Sequence, residues 1–123
     1  MNRHHPALAF AALLLVVSLV PVPETSGAGG PALLGVGLDK WVHAGGYGVL
    51  TGLLAWGRRS RDVAAVATLV VLVAGYGVGV ELLQTLVPSR TTSVADAAAN
   101  GLGASLCGLC WLVADAGPPR RGD

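Results

Sequence analysis

VELLQTLVPSRTTSVADAAANGLG, residues 80–103, is the stretch from which the fold is read. Two apolar segments meet here at a turn marked by Pro88. Glu81, Gln84, Arg90, Ser93, Asp96 and Asn100 stand in or beside them. A charged residue at the centre of a membrane helix costs roughly 2.5–3.5 kcal/mol on insertion scales. A chain that keeps several polar groups near one turn uses them together. The stretch therefore reads as half of a polar site. Asp39, Lys40 and His43 supply the other half.

Composition sets the class. The chain has 123 residues, enough for one domain. Apolar residues make up 53% and charged residues 12%, about half the charged share of soluble domains. The apolar residues fall in long runs, as in an integral membrane protein. A net charge of +1 gives no general basic field, so no nucleic-acid partner is expected. The 18 glycines would weaken helices in water, but in lipid small residues let helices approach closely. Cys107 and Cys110 have C-x-x-C spacing, yet they lie inside an apolar run with no second Cys or His pair. They read as small buried residues.

Working outward, the sequence predicts an all-α, polytopic bundle of about four transmembrane helices. Residues 6–22 form a first apolar run, read as an uncleaved N-terminal span within residues 1–22. It also resembles a signal-peptide core, with Ser26, Gly27 and Ala28 as a cleavage-like site. A Pro- and Gly-rich loop follows to about Leu38. Residues 39–114 then form a three-helix core. Asp39 is expected to cap a second span over residues 40–56, with Gly57 as its C-terminal breaker. Asp62 is expected to cap a third, residues 63–87, ended by Pro88. Ser93 and Asp96 fit a capping box opening a fourth, residues 94–114. Residues 115–123 read as a disordered tail.

With the N-terminus inside, Arg3, Arg58, Arg59, Arg61, Arg120 and Arg121 are cytoplasmic. These are six of the eight Lys and Arg residues, and only Lys40 and Arg90 lie outside. Both termini are then cytoplasmic in a multi-pass cell-membrane protein. Every intramembrane ionisable residue falls near the outer leaflet.

Each core helix should turn one polar-plus-small face inward, because lipid cannot satisfy polar groups. Asp39, His43 and Tyr47 form such a stripe in the second span. Gly77, Glu81 and Gln84 form one in the third, and Asp96, Asn100, Gly103 and Cys107 in the fourth. Gly48 with Gly52, Gly75 with Gly79, and Ala104 with Gly108 are small-xxx-small pairs that would let the three helices pack closely. The first span carries no ionisable residue between Pro6 and Val22 and is expected at the periphery. Plainer roles stand beside these. Asp39, Ser93 and Asp96 suit helix caps, Lys40 suits snorkelling, and Trp41 and Trp56 suit interfacial belts.

The set Asp39-Lys40-x-x-His43-x-x-x-Tyr47, Glu81-x-x-Gln84 and Pro88-x-Arg90-x-x-Ser93-x-x-Asp96-x-x-x-Asn100-x-x-Gly103 resembles the pattern of the VanZ-like membrane proteins. The resemblance covers just over half the chain, from Asp39 to Gly103. Gly45 and Gly46 stand where members often carry a bulkier residue. The family takes its name from a protein linked to low-level teicoplanin resistance. The resemblance implies kinship in fold and site, and that antibiotic role does not carry over with it.

These residues lead to an outer-leaflet site for an envelope lipid or glycoconjugate head group. Lys40 and Arg90 would hold its phosphate or carboxylate. His43 and Glu81 would be poised for proton transfer. Asp39, Tyr47, Gln84, Ser93, Asp96 and Asn100 would bind or orient the partner groups. No Ser or Cys nucleophile stands beside His43, which argues against a covalent acyl mechanism. A divalent ion shared by Asp39, His43, Glu81 and Asp96 is conceivable, but no H-x-x-x-H or comparable pair supports it. No metal or cofactor is expected. The alternative is a non-catalytic scaffold or partner subunit held together by its ion network. A proton or ion carrier fits poorly, because a relay needs polar groups across the full depth. The partners expected are membrane lipids and a lipid-linked envelope substrate. A cysteine placed at Ser89 is expected to react with an impermeant thiol reagent from outside intact cells. Labelling only after lysis would reverse the orientation.

Overall fold

The computed structural model describes residues 2–20, 32–59, 61–87 and 93–114. Arg90, the hairpin around it and residues 115–123 lie outside these, so the expectations placed on them are not addressed. Four α-helices run in order with one small hairpin between the first two: α1 (His5–Leu19), β1 (Ala32–Leu33), β2 (Val36–Gly37), α2 (Leu38–Arg58), α3 (Val63–Gln84) and α4 (Val94–Val113). The fold is all-helical apart from the two-residue strands. α3 and α4 are each long and apolar enough to cross a membrane.

α1 and α2 fall short of that standard for different reasons. α1 has 15 residues, about 22 Å of helix against a hydrocarbon core of roughly 30 Å. α2 has 21 residues but carries Asp39, Lys40, His43 and Arg58. Even so, the exposed faces of all four helices are apolar: Leu8 and Val16 on α1, Val42 and Val49 on α2, Val71 and Leu72 on α3, Leu102 and Leu106 on α4. Soluble monomers rarely expose large contiguous apolar patches.

The helix ends differ from expectation in instructive ways. α2 begins at Leu38, directly after β2 of the hairpin, so Asp39 is its second residue. That hairpin turns on Leu34 (φ 54°) and Gly35 (φ 76°), the paired positive φ of a two-residue turn. The Trp41 indole donates to the Leu33 carbonyl at 3.1 Å and ties the hairpin to α2. Gly57 does not break α2, which continues to Arg58 and ends where Arg59 turns left-handed at φ 58°. Gly57 instead makes room for α1: a Cβ there would meet the His4 Nδ1 at 2.9 Å. α3 stops at Gln84, three residues short of Val87. Thr85 closes it with a hydroxyl bond to the Leu82 carbonyl at 2.6 Å. The Asp62 and Ser93 caps form as expected, Asp62 Oδ2 accepting from Ala65 N at 3.0 Å and Ser93 Oγ from Asp96 N at 3.1 Å.

Contacts at the ends fix an up-and-down bundle. At one end His4 meets Gly57, and Arg61 donates to the Trp111 carbonyl while its guanidinium stacks 4.4 Å above the Trp111 ring. At the other end Gln84 donates to the Ser18 carbonyl at 2.9 Å, and Lys40 lies 3.4 Å from Asp96. α1 is therefore more than an outlying anchor. Ala7 is buried in the core, and the Tyr76 hydroxyl donates to the Ala11 carbonyl at 2.5 Å.

The tightest helix contact is between α2 and α4. A Cβ on Gly103 would collide with the Ala44 carbonyl, lying 2.6 Å from its carbon. Gly48 faces the Gly103 carbonyl and Gly52 the Cys107 sulfur. Gly108 faces Val66 and Val70 of α3. Gly75 and Gly79, by contrast, are exposed with nothing close by, so that pair packs no helix here. Gly103→Ala is expected to cost about 1–3 kcal/mol, because backbone opposes backbone and cannot yield. Gly101→Ala, with open space around it, should be neutral or gain up to about 1 kcal/mol of helix propensity. Thermal unfolding of both variants in detergent checks the contrast.

Candidate functional site at the polar end of the bundle

The close α2–α4 approach sets where polar side chains meet. His43 lies one residue before Ala44, and Asp96 lies about two turns N-terminal to Gly103, so both reach the same end of the bundle. α3 brings Glu81 to them from its last turn, about 4.5 Å along the axis from Gln84. One donor atom each from His43, Glu81 and Asp96 lies within 4.8 Å of the others. Three separate helices thus converge on one point. Glu81 and Asp96 are buried, and His43 is half-buried.

The electrostatics are uneven. Asp96 sits in the first turn of α4, where the helix dipole favours a carboxylate. Glu81 sits in the last turn of α3, where the dipole opposes one. Lys40 Nζ, 3.4 Å from Asp96 Oδ1, adds a positive charge on the side of α2. Its side chain is 32% exposed, so solvent screens part of this pair.

A fully buried layer lies one turn deeper. Tyr47 and Asn100 are each 1% exposed, and both pack on Gly77. A Cβ at Gly77 would lie 3.1 Å from the Asn100 amide nitrogen and 3.1 Å from the Tyr47 ring. The Tyr47 hydroxyl and both amide atoms of Asn100 have no hydrogen-bond partner among the described residues. Buried polar atoms left this way are costly, about 1–3 kcal/mol each, and mark a place where water or a ligand belongs. Tyr47 lies within electrostatic reach of Glu81.

The remaining predicted residues divide. Gln84 is buried, and its amide is engaged by Ser18 of α1. Ser93 is exposed and serves as the α4 cap. Asp39 enters α2 one turn before His43. Two residues escaped the sequence reading. Thr51 continues the His43–Tyr47 stripe, is fully buried and donates to the Tyr47 carbonyl at 3.0 Å. Tyr76 sets its ring 6.3 Å from that of Tyr47. The i+4 spacing from Tyr47 was a signal for Thr51; nothing local marked Tyr76.

A groove of about 240 Å³ opens beside the cluster between α1, α2 and α3. Leu14, Val17 and Val42 make its apolar walls, and Ser18, His43, Tyr47 and Gln84 give it a polar side. No protein-family model, curated protein or solved structure matches this chain.

The Lys40–Asp96 pair can be isolated. Lys40→Ala leaves a buried carboxylate beside Glu81 and is expected to destabilise by about 1 kcal/mol or more. The double variant Lys40→Ala/Asp96→Asn should recover at least half of that. A double-mutant cycle on unfolding in detergent measures the coupling.

Proposed function

We propose that this is a VanZ-like integral membrane protein whose polar end binds, and acts on, the head group of an envelope lipid or glycoconjugate at the outer leaflet. The observation that carries the reading is the convergence of His43, Glu81 and Asp96 from three helices beside a groove with apolar walls and one polar side. An amphiphile matches such a groove: its chain lies against Leu14, Val17 and Val42, and its head group reaches His43 and Tyr47. Lys40 and Arg90 supply the positive charge for a phosphate or carboxylate. His43 and Glu81 are the proton-transfer pair, and Asp39, Gln84, Ser93, Asp96 and Asn100 line or support the site.

In this reading all four helices span the membrane. α2 does so with its charged end at the interface. Arg3, Arg58, Arg59 and Arg61 gather at the end opposite the site, and the excess of positive charge there supports reading that end as the cytoplasmic one. Exposed Trp41 and Trp56 mark the two interfaces along α2.

A second reading is favoured by two contacts. Gln84 is held by Ser18, and Asp96 lies against Lys40, as they would be in a purely structural network. Glu81→Gln separates the two, since it keeps shape and removes charge. The head-group reading expects a folded variant that binds a labelled lipid phosphate in nanodiscs at least tenfold more weakly and loses its envelope phenotype. A Glu81→Gln protein as poorly folded as Arg90→Ala would assign the network to structure alone.

A further inference from the structure

We propose that His43, Glu81 and Asp96 form a binding site for one divalent transition-metal ion. The three residues come from α2, α3 and α4, and their donor atoms lie within 4.8 Å of one another. Donors placed tetrahedrally around zinc at roughly 2.1 Å stand roughly 3.4 Å apart. The spread exceeds that spacing by roughly 1.4 Å, a gap of the size that side-chain rotation spans. One imidazole and two carboxylates is a mixed nitrogen and oxygen set. It suits Zn²⁺ first and Mn²⁺ second, and fits poorly with Mg²⁺ or Ca²⁺, which prefer oxygen alone.

The surroundings point the same way by independent routes. Asp96 Oδ1 is buried and accepts no hydrogen bond among the described residues, its contact being the Lys40 ammonium at 3.4 Å. One turn deeper, the Tyr47 hydroxyl and the Asn100 amide are buried and equally without partners there. These are the groups that orient ligands or hold a metal-bound water from behind. His43 also lines the open groove, which gives an ion a way in and leaves a coordination position facing that groove. Three protein ligands with an open position is the pattern of reactive zinc sites, not of closed structural ones.

Lys40 makes the proposal sharp. Its ammonium lies 3.4 Å from Oδ1 of Asp96, the carboxylate that the ion would use. A bound dication and Lys40 therefore compete for Asp96, and Lys40, 32% exposed against 13% for Asp96, is the partner nearer solvent. Removing its charge should tighten metal binding, although it removes no ligand. A salt-bridge cluster without a metal role predicts no such gain.

The test uses the full chain in detergent, stripped with chelator, with no lipid added, so it stands apart from the head-group reading. Zn²⁺ and Mn²⁺ are titrated by calorimetry, with metal content measured after desalting and Mg²⁺ as the control. About one equivalent of Zn²⁺ is expected. His43→Ala and Glu81→Gln should weaken it at least a hundredfold. His4→Ala/His5→Ala and Cys107→Ala/Cys110→Ala, at the opposite end of the bundle, should leave it unchanged. Lys40→Gln should bind Zn²⁺ several-fold more tightly, and it decides the matter if the ligand variants do not fold. The proposal is overturned by a folded wild-type chain that takes up no Zn²⁺. It is overturned equally by an equivalent that survives His43→Ala, or by a Lys40→Gln protein that binds no more tightly than wild type.

Discussion

The contact of Gly103 with the Ala44 carbonyl is the constraint on which the rest depends. Two helix backbones touch there with no side chain between them. Small residues are what let two helix backbones approach this closely. Gly48 and Gly52 extend the seam along α2, and Gly108 passes α4 on to α3. Because the seam fixes how α4 sits against α2, it also fixes the level at which Asp96 meets His43. A shift by one helical turn, about 5.4 Å, would exceed the whole 4.8 Å spread of the cluster. The polar site is thus a consequence of glycine packing as much as of its own charges.

Position along the helices explains how such a cluster survives in an apolar bundle. Its members lie at helix ends: Lys40 and His43 in the first two turns of α2, Glu81 in the last turn of α3, Asp96 in the first turn of α4. At a helix end the dipole of α4 offsets part of the burial cost for Asp96. Deeper in, the hydroxyls turn to their own helices. Thr51 donates to Tyr47, Thr68 to Ala64 and Ser105 to Gly101, each to the carbonyl four residues back.

Much of this was legible in the sequence because helical periodicity is local. The stripes His43–Tyr47, Glu81–Gln84 and Asp96–Asn100–Gly103 follow from spacing alone, and the caps at Asp62 and Ser93 from residue type. Termini set by tertiary contact were not legible. Gly57 looked like a stop, but its missing Cβ is used by His4, and Arg59 makes the turn. Pro88 looked like the end of α3, but Thr85 closes that helix earlier, which leaves Glu81 in its last turn. The Leu34–Gly35 hairpin was hidden because Leu is a poor signal for a positive φ. Gly75 and Gly79 show the converse error: a small-xxx-small pair is only permission to pack, and no helix takes it up there.

The same limit applies to the site. A one-dimensional search for metal ligands looks for pairs on one helix, such as two histidines a turn apart. Here each helix contributes a single donor, so no pair exists to be found. What the sequence did carry was the repeated oddity of one ionisable residue per helix end. One such residue has a local explanation, as a cap or a snorkelling side chain. Three on different helices, brought to one point by a backbone contact that tolerates no Cβ, share a common cause. Geometry supplies that last step, because convergence is a property of the packed bundle and not of any segment within it.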